Sequence, residues 1–202
     1  MNKNITRKKF NVSLLGESEV GKTLITSCYL NRGLQESSLS TIGIESYMDS
    51  AVFDNVEYKF KIYDTAGQER YKSISRSTIK ITDGFLLVFS VDCKKSFDAI
   101  NYWYNSIRDE IDVKKKIIYL IGNKIDLDKR EIKNEEAYFF AQEKNIKYFE
   151  TSAKTGYGVK EVFKQLYQDI YDLFKQNQNN KNNKSNNFVL NQNSKKENNK
   201  CC

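Results

Sequence analysis

Residues 16–23 carry the clearest chemical signal in the chain. Their sequence, Gly-Glu-Ser-Glu-Val-Gly-Lys-Thr, matches the pattern G-x-x-x-x-G-K-[ST]. Glycines in such a loop let backbone N–H groups surround a polyphosphate, the lysine reaches the β- and γ-phosphates, and the threonine hydroxyl binds Mg²⁺. A chance glycine-lysine turn has the same composition, so the flanking elements decide. The pattern predicts a nucleoside triphosphate site that includes Ser18, Glu19, Val20, Gly21, Lys22, Thr23 and Leu24, and it leaves the base open.

Two later motifs indicate the base. Residues 123–126 are Asn-Lys-Ile-Asp, and residues 150–154 are Glu-Thr-Ser-Ala-Lys. The Asp126 carboxylate can accept hydrogen bonds from the two N–H donors that guanine has and adenine lacks. The Lys124 side chain is expected along the base plane, and the Ala153 N–H is expected to donate to the guanine carbonyl. An N-K-x-D tetrapeptide is common by itself, but here it follows the phosphate loop by about 100 residues and is paired with a second motif. The predicted guanine-binding residues are Asn123, Lys124, Asp126, Ser152, Ala153 and Lys154.

The segments around these motifs alternate between strand and helix patterns. Residues 85–89 and 117–121 are continuous apolar runs, typical of strands buried on both faces. Segments 47–53 and 57–64 face each other across Asp54-Asn55, which predicts a hairpin. The other predicted strands are 10–15 and 147–150, and the predicted helices are 22–32, 96–111, 134–144 and 158–174. This order predicts an α/β fold with a mostly parallel sheet that binds ligands at the carboxyl ends of its strands.

The composition excludes several classes of function. The chain has no histidine, which excludes Ser-His-Asp triads, Cys-His proteases and histidine-built metal sites. Its apolar runs are far shorter than the roughly 20 residues of a membrane span. The charged first residues lack the apolar segment of a secretory signal, and four cysteines in this spacing do not form a disulfide framework. We expect a reduced, intracellular protein.

The last part of the chain has a different composition from the rest. Residues 176–200 are rich in asparagine and lysine, and this segment carries +4 of the net charge of +7. It has too little apolar surface to offset the entropy of ordering, so we predict that it is disordered. The apolar triplet at 188–190 is either a contact for an escort protein or without a role.

The full set of motifs resembles the small GTPases of the Ras superfamily. Residues 64–70, Asp-Thr-Ala-Gly-Gln-Glu-Arg, complete the set in the family's order. Within the superfamily the chain is most similar to the Rab family, on Thr41-Ile42-Gly43-Ile44, on residues 60–63 and on the terminal Cys201-Cys202. The resemblance implies a P-loop NTPase small-GTPase fold. Its six-stranded sheet is mostly parallel, with one antiparallel edge strand and helices on both faces. It also implies a GTPase domain at 8–175 after a flexible N-terminus at 1–7.

The resemblance also implies a mechanism for hydrolysis of GTP to GDP. Mg²⁺ is expected on Thr23, on Thr41 when GTP is bound, and through water on Asp64. Gln68 is expected to orient the attacking water, and the Gly67 N–H to contact the γ-phosphate. With Lys22 and Thr41, these two residues form the expected catalytic set.

Loss of the γ-phosphate is expected to release Thr41 and Gly67, so that two switch loops relax. No arginine is obviously placed to assist hydrolysis within the chain. The resemblance therefore implies slow intrinsic hydrolysis and a GTPase-activating protein, together with an exchange factor and effectors.

Several residues depart from the family pattern. Glu19 replaces a small residue in the phosphate loop, and Leu34 stands where relatives place an aromatic ring against guanine. A lost stack of this kind costs roughly 1–3 kcal/mol, so we expect faster nucleotide release than in a typical Rab. Ser46, Tyr63 and residues 78–79 alter the aromatic patch that reads effectors in the family, so effectors are not carried over from relatives.

The terminal Cys201-Cys202 matches the double-cysteine ending that Rabs carry with geranylgeranyl groups. One lipid chain anchors weakly and two anchor stably, and the tail lysines add attraction to anionic lipid. The resemblance implies a cytoplasmic-face endomembrane protein that cycles with the cytosol on an escort or GDP-dissociation inhibitor and acts in vesicle trafficking.

Two other functions remain to be weighed. The first is a GTP-loaded binding scaffold that hardly hydrolyses, which Glu19 favours and Gln68 opposes. The second is a basic nucleic-acid-binding protein. Because most of the net charge lies in the tail and no recognition motif is present, we expect no nucleic acid partner.

Overall fold

A six-stranded sheet forms the centre of the part of the chain that the structure describes. This computed structural model describes residues 8–32, 44–65 and 76–196, with side chains for 8–32, 45–64 and 76–180. The strands run in the order β2-β3-β1-β4-β5-β6. Every neighbouring pair is parallel except β2 with β3. The strands are β1 (Lys9–Leu15), β2 (Ile44–Phe53), β3 (Val56–Thr65), β4 (Gly84–Ser90), β5 (Ile117–Asn123) and β6 (Lys147–Glu150). The predicted fold class is confirmed.

The predicted hairpin joins β2 to β3. Phe53 lies opposite Val56, so the loop consists of Asp54 and Asn55 alone. Both loop residues have positive φ, 48° and 60°, a region that asparagine and aspartate enter more readily than other residues with a Cβ. Two successive residues of this kind form the tight turn that matches the twist of a hairpin. The turn therefore fixes the register of the edge strand β2.

Six helices connect or follow the strands in the described residues. They are α1 (Lys22–Tyr29), α2 (Arg76–Ile81), α3 (Lys94–Asp98), α4 (Ile100–Glu110), α5 (Asn134–Glu143) and α6 (Val159–Lys196), with a 3-10 turn at Val113–Lys115. The pattern analysis did not predict α2. The helix predicted at 96–111 is two helices, but Ala99 between them keeps helical dihedrals. The Ala99 carbonyl accepts from both Tyr102 and Trp103 N–H groups, so the junction is a tightened turn.

Helix α1 ends three residues before the predicted end at Arg32. Asn31 has a φ of 52°, and its N–H donates to the Cys28 carbonyl at 3.2 Å. The Arg32 N–H donates to the Ser27 carbonyl at 3.0 Å. This pair of hydrogen bonds around a left-handed residue is the Schellman arrangement. The helix therefore ends because Asn31 accepts a conformation that most side chains avoid.

The sheet is covered on both faces, as strand β4 shows. Phe85 and Phe89 belong to a buried cluster with Trp103, which is only 5% exposed. A Cβ added to Gly84 would lie 2.6 Å from the Ile170 Cδ1 on α6, on the other side of the strand. All seven residues of β4 are buried, as its continuous apolar run predicts.

Aromatic stacking holds α1 and α6 against the face formed by β1 and β3. The Tyr29 ring stacks on Phe163 with centroids 3.9 Å apart, and Phe60 stacks on Tyr167 at 3.7 Å. The Tyr29 and Tyr167 hydroxyls both donate to Asp49 Oδ2, at 2.6 and 3.1 Å. Burial and the Asp49 carboxylate raise the pKa of Tyr29. One carboxylate of β2 thus joins the helix after the phosphate loop to the last helix.

The end of the chain differs from its prediction. The structure continues α6 in helical backbone to Lys196, through most of the segment predicted to be disordered and well past the predicted helix end at 174. Residues 159–196 contain no glycine and no proline, the two residues that disfavour a helix interior most. The chain divides into two units, residues 1–170 and 171–202. Among the described helices, none combines the length and apolarity that crossing a bilayer requires.

Replacing Asp49 with alanine is expected to destabilise the fold. Two tyrosine hydroxyls, one on a side chain that is only 2% exposed, would lose their acceptor, which costs about 2–4 kcal/mol of unfolding free energy. Asp49→Asn keeps an acceptor oxygen and is expected to cost about 1 kcal/mol or less. Urea unfolding gives the free energy of unfolding of both variants. If Asp49→Ala were as stable as Asp49→Asn, the role of this acceptor would be contradicted.

Candidate functional site

The phosphate-loop motif lies between β1 and α1, as predicted. Its backbone has positive φ at Gly16 (148°), Glu19 (64°) and Gly21 (96°). A Cβ added to Gly16 would lie 2.0 Å from the Val88 carbonyl oxygen, and one added to Gly21 would lie 2.4 Å from Asn123 Nδ2. Both glycines are therefore required by close contacts with β4 and β5. Glu19 holds a left-handed conformation that a non-glycine residue rarely adopts.

The side chain of Lys22 lies inside this loop. It is 5% exposed, and its Nζ donates to the carbonyl oxygens of Gly16 and Glu17, both at 2.7 Å. The N-terminus of α1 has no side-chain cap and no acidic residue in its first turn. A buried ammonium group and an uncapped helix N-terminus both favour an anion. The loop therefore has the electrostatics of a phosphate site.

The remaining residues predicted to contact phosphate differ in exposure. Val20 is buried, whereas the Ser18 and Glu19 side chains are exposed and Leu24 is 42% exposed. The Glu19 carboxylate thus lies in solvent, so its negative charge is screened from the loop interior. We expect Ser18, Glu19 and Leu24 to act through backbone N–H groups.

Asn123 connects the phosphate loop to both guanine motifs. It lies at the end of β5 and is 1% exposed. Its Nδ2 donates to the Val20 carbonyl at 2.9 Å. Its Oδ1 accepts from Thr151 Oγ1 at 3.1 Å and from the Ala153 N–H at 3.2 Å. The sequence predicts Asn123 as a guanine ligand, but these hydrogen bonds give it the position of a brace between three loops.

The two guanine motifs contact each other directly. Asp126 is partly buried, and its Oδ1 accepts from Ser152 Oγ at 2.6 Å. Lys154 Nζ lies 3.9 Å from Asp126 Oδ2. Lys124 has a φ of 68°, and its carbonyl accepts from the Leu127 N–H at 3.1 Å, which closes a turn. All six predicted guanine residues are thus at one edge of the sheet.

Two details of this edge were not predicted. The Ala153 N–H, expected to donate to the guanine carbonyl, donates to Asn123 in this structure. Thr151, absent from the predicted site, braces Asn123 through its hydroxyl and is fully buried. Its place inside the Glu-Thr-Ser-Ala-Lys motif was the available signal.

Asp64 and Thr23 are the described residues predicted to hold a metal. Asp64 is fully buried, and it pairs in register with Leu14, two residues before the phosphate loop. Thr23 is partly buried in the first turn of α1. A carboxylate and a hydroxyl are ligands that Mg²⁺ accepts, and a buried carboxylate needs a counter-charge or hydrogen bonds. These residues fit a Mg²⁺ site. Thr41, Gly67 and Gln68 lie outside the described residues, as do Leu34, Cys201 and Cys202.

Only some of the residues that alter the predicted effector patch are exposed. Ser46 is exposed and Tyr63 is partly buried. Thr78 is 9% exposed, and Ile79, 3% exposed, belongs to the core cluster under α2. Ile79, at a position where the resemblance implies an aromatic ring, is therefore a core residue in this chain.

Replacing Asn123 with alanine is expected to loosen the predicted site. The Val20 carbonyl and the buried Thr151 hydroxyl would lose their partner, which costs about 2–4 kcal/mol. We expect nucleotide affinity to fall by about 30-fold or more. Titration with a fluorescent guanine nucleotide measures this. The control Thr151→Val removes one donor and is expected to weaken binding less, and an unchanged affinity in Asn123→Ala would contradict the brace.

Comparison with known proteins agrees with this geometry. The Ras family model matches residues 11–172. The chain is 33% identical over 193 residues to the Ras-related protein Rab-13 of Rattus norvegicus, an alignment that covers 95% of each chain. It is 36% identical over 163 residues to the GTP-binding protein ypt3 of Schizosaccharomyces pombe, covering 80% of this chain and 76% of that protein. It is 36% identical over 168 residues to the Ras-related protein RABA4d of Arabidopsis thaliana, covering 83% and 75%. The chain belongs to the Rab family of Ras-superfamily small GTPases, and its activity is the hydrolysis of GTP.

Proposed function

We propose that this GTPase is a membrane-anchored switch in intracellular vesicle trafficking. The observation that carries the proposal is the convergence of the phosphate loop and both guanine motifs on Asn123. This arrangement offers a polyphosphate site and a base site at one edge of the sheet, joined by the side chain of Asn123. A guanine nucleotide has both parts, and a switch needs a site that distinguishes GTP from GDP.

The proposed base site uses the loops after β5 and β6. Asp126 accepts from the two N–H donors of guanine, while its hydrogen bond from Ser152 fixes the carboxylate. Lys124 lies along the base, and the Ala153 N–H exchanges its bond to Asn123 for one to the guanine carbonyl. Because each loop is held by Asn123, base binding and phosphate binding are coupled.

The proposed hydrolysis depends on position and charge. Lys22 neutralises the β- and γ-phosphates from inside the loop. Gln68 orients a water whose oxygen bonds to the γ-phosphorus as the bond from that phosphorus to its bridging oxygen breaks. The Gly67 N–H holds a γ-phosphate oxygen. Thr23, Thr41 and, through water, Asp64 would hold Mg²⁺, which would supply positive charge against the negative charge that develops between the phosphates.

Single-turnover hydrolysis of bound GTP tests this proposal against a scaffold that keeps GTP. The wild-type chain is expected to convert bound GTP to GDP, and Gln68→Leu to slow this by at least about tenfold because leucine cannot hydrogen-bond the water. The control Glu69→Gln changes the neighbouring charge and is expected to keep the rate. No hydrolysis in wild type would favour the scaffold, and equal measurable rates in wild type and Gln68→Leu would contradict the proposed role of Gln68.

We further propose that Cys201 and Cys202 anchor the protein through geranylgeranyl groups. Two chains give stable attachment where one gives only marginal binding, and lysines in the tail add attraction to anionic lipid. This attachment needs no membrane-spanning helix. Release from the membrane then requires a protein that covers the lipid, as an escort or GDP-dissociation inhibitor does.

Replacing both terminal cysteines with serine is expected to abolish membrane attachment. After incubation with geranylgeranyl diphosphate and a prenylating cell extract, the wild-type chain is expected to float with vesicles and the double variant to stay in solution. Cys28→Ser is the matched control, because Cys28 lies in α1 within the folded unit. Vesicle binding by the double serine variant would contradict the anchor, and GTP hydrolysis should be unchanged in all three proteins.

A further inference from the structure

A cavity opens at the amino ends of β5 and β6, at the edge of the sheet opposite the phosphate loop. Its volume is about 310 Å³, within the usual range for small-ligand sites. Lys116 precedes β5, and Lys147 is the first residue of β6. The charged side chains that line the cavity are Lys114, Lys116, Lys144, Lys147 and Asp169. We refer to this cavity as the lysine pocket.

Two of these lysines have side chains that are mostly buried. The Lys116 and Lys144 side chains are 17% and 20% exposed. Lys116 Nζ donates to the Thr82 carbonyl and lies 3.9 Å from Asp83 Oδ1, at the outer limit of an ion pair. Lys144 Nζ contacts Glu143 Oε1 at 2.9 Å, but that glutamate is 58% exposed. Ammonium groups that are this desolvated gain from an additional anion.

Among the described residues that line the pocket, Asp169 is the one acid, and its carboxylate already has three hydrogen-bond donors. The Asp169 carboxylate accepts from the Lys147 ammonium, from the Tyr119 hydroxyl at 2.6 Å and from Gln165 Nε2 at 2.8 Å. Burial acts to raise the pKa of Asp169, but these hydrogen bonds outweigh it and hold the pKa below its ordinary value. Asp169 therefore stays ionised and offsets Lys147. Beyond their contacts with Asp83 and Glu143, Lys116 and Lys144 can still attract a ligand, as can the exposed Lys114.

Within the first unit, helix α6 reaches the edge of the sheet where the lysine pocket opens. The helix starts after β6 at the carboxyl edge, and ten residues later Asp169 contacts Lys147 at the amino edge. The next residue, Ile170, packs against the position of Gly84, the first residue of β4. The last residues of the first unit therefore lie at the edge where the lysine pocket opens.

We propose that the lysine pocket binds a phosphate monoester, carried on the headgroup of a phosphorylated membrane lipid. Lysines bind phosphate as point charges, and several of them in one pocket favour a group with two negative charges. The lipid source rests on the proposed tail anchor, which would keep the protein at a membrane surface where such headgroups lie. Phosphate binding itself does not depend on the anchor.

The first test uses the full, unlipidated chain saturated with GDP, so that the phosphate loop is filled. Inositol 1,4,5-trisphosphate is titrated by calorimetry, with inorganic phosphate as a weaker probe. We expect the double variant Lys114→Gln/Lys144→Gln to bind at least about tenfold more weakly. The control Lys95→Gln/Lys160→Gln removes the same charge from exposed sites elsewhere and is expected to bind as wild type.

Asp169→Asn provides a variant whose expected effect is a gain. Removing the carboxylate frees Lys147 and lowers the negative charge of the pocket, so we expect binding several-fold tighter than wild type. Misfolding cannot produce such a gain. No binding by wild type, equal losses in the pocket and control doubles, or weaker binding by Asp169→Asn would overturn the proposal.

Vesicles distinguish the lipid from a free phosphate compound. The same proteins are floated with phosphatidylcholine vesicles that contain phosphatidylinositol 4-phosphate, and with phosphatidylserine vesicles matched in charge. Preference for the phosphoinositide, lost in the pocket double and kept in the control, supports the lipid source. Equal binding to both vesicles would overturn that source and leave a soluble phosphate monoester as the ligand. Because the chains are unlipidated, failure of the anchor cannot produce either result.

Discussion

The side chain of Asn123 is the constraint on which the site depends. One buried amide uses its donor on the phosphate loop and its acceptor on the loop after β6. The asparagine amide is the smallest side chain that has a donor and an acceptor in one plane. A Cβ added to Gly21 would lie only 2.4 Å from Asn123 Nδ2, so only glycine fits beside this amide. The base and phosphate parts of the site are consequently fixed relative to each other by one side chain.

Packing within the first unit supports the edge of the sheet that carries the nucleotide site. Asp49 ties α1 to α6 through two tyrosine hydroxyls, and α1 begins with the lysine of the phosphate loop. The core cluster holds β4 and β5 on the other face. Helix α6 runs from the carboxyl edge of the sheet, which carries the nucleotide site, to the amino edge, which carries the lysine pocket. The two edges of the sheet thus present different chemistry, one for a nucleotide and one for an anion.

The sequence predicts the parts of this structure that depend on local pattern. Continuous apolar runs locate β4 and β5, and Asp54-Asn55 locates the hairpin turn, because burial and positive φ select particular residue types. Features that depend on tertiary contacts are not predicted. The end of α1 depends on Asn31 adopting a left-handed conformation, and the brace by Asn123 depends on loops that are distant in sequence. The sequence predicts an α6 that ends at residue 174, because the composition beyond it indicates poor burial. The absence of glycine and proline permits the longer helix, which ends at Lys196.

The nucleotide that the purified chain carries tests the central claim most directly. The protein is purified with no added nucleotide, denatured by heat, and the supernatant is separated by chromatography. A prearranged guanine site coupled to hydrolysis predicts GDP in a ratio close to one per chain. Adenine nucleotides would contradict the assignment of Asp126 as the residue that selects the base. Bound GTP would contradict hydrolysis, and an empty site would contradict the claim that Asn123 holds both parts of the site ready for ligand.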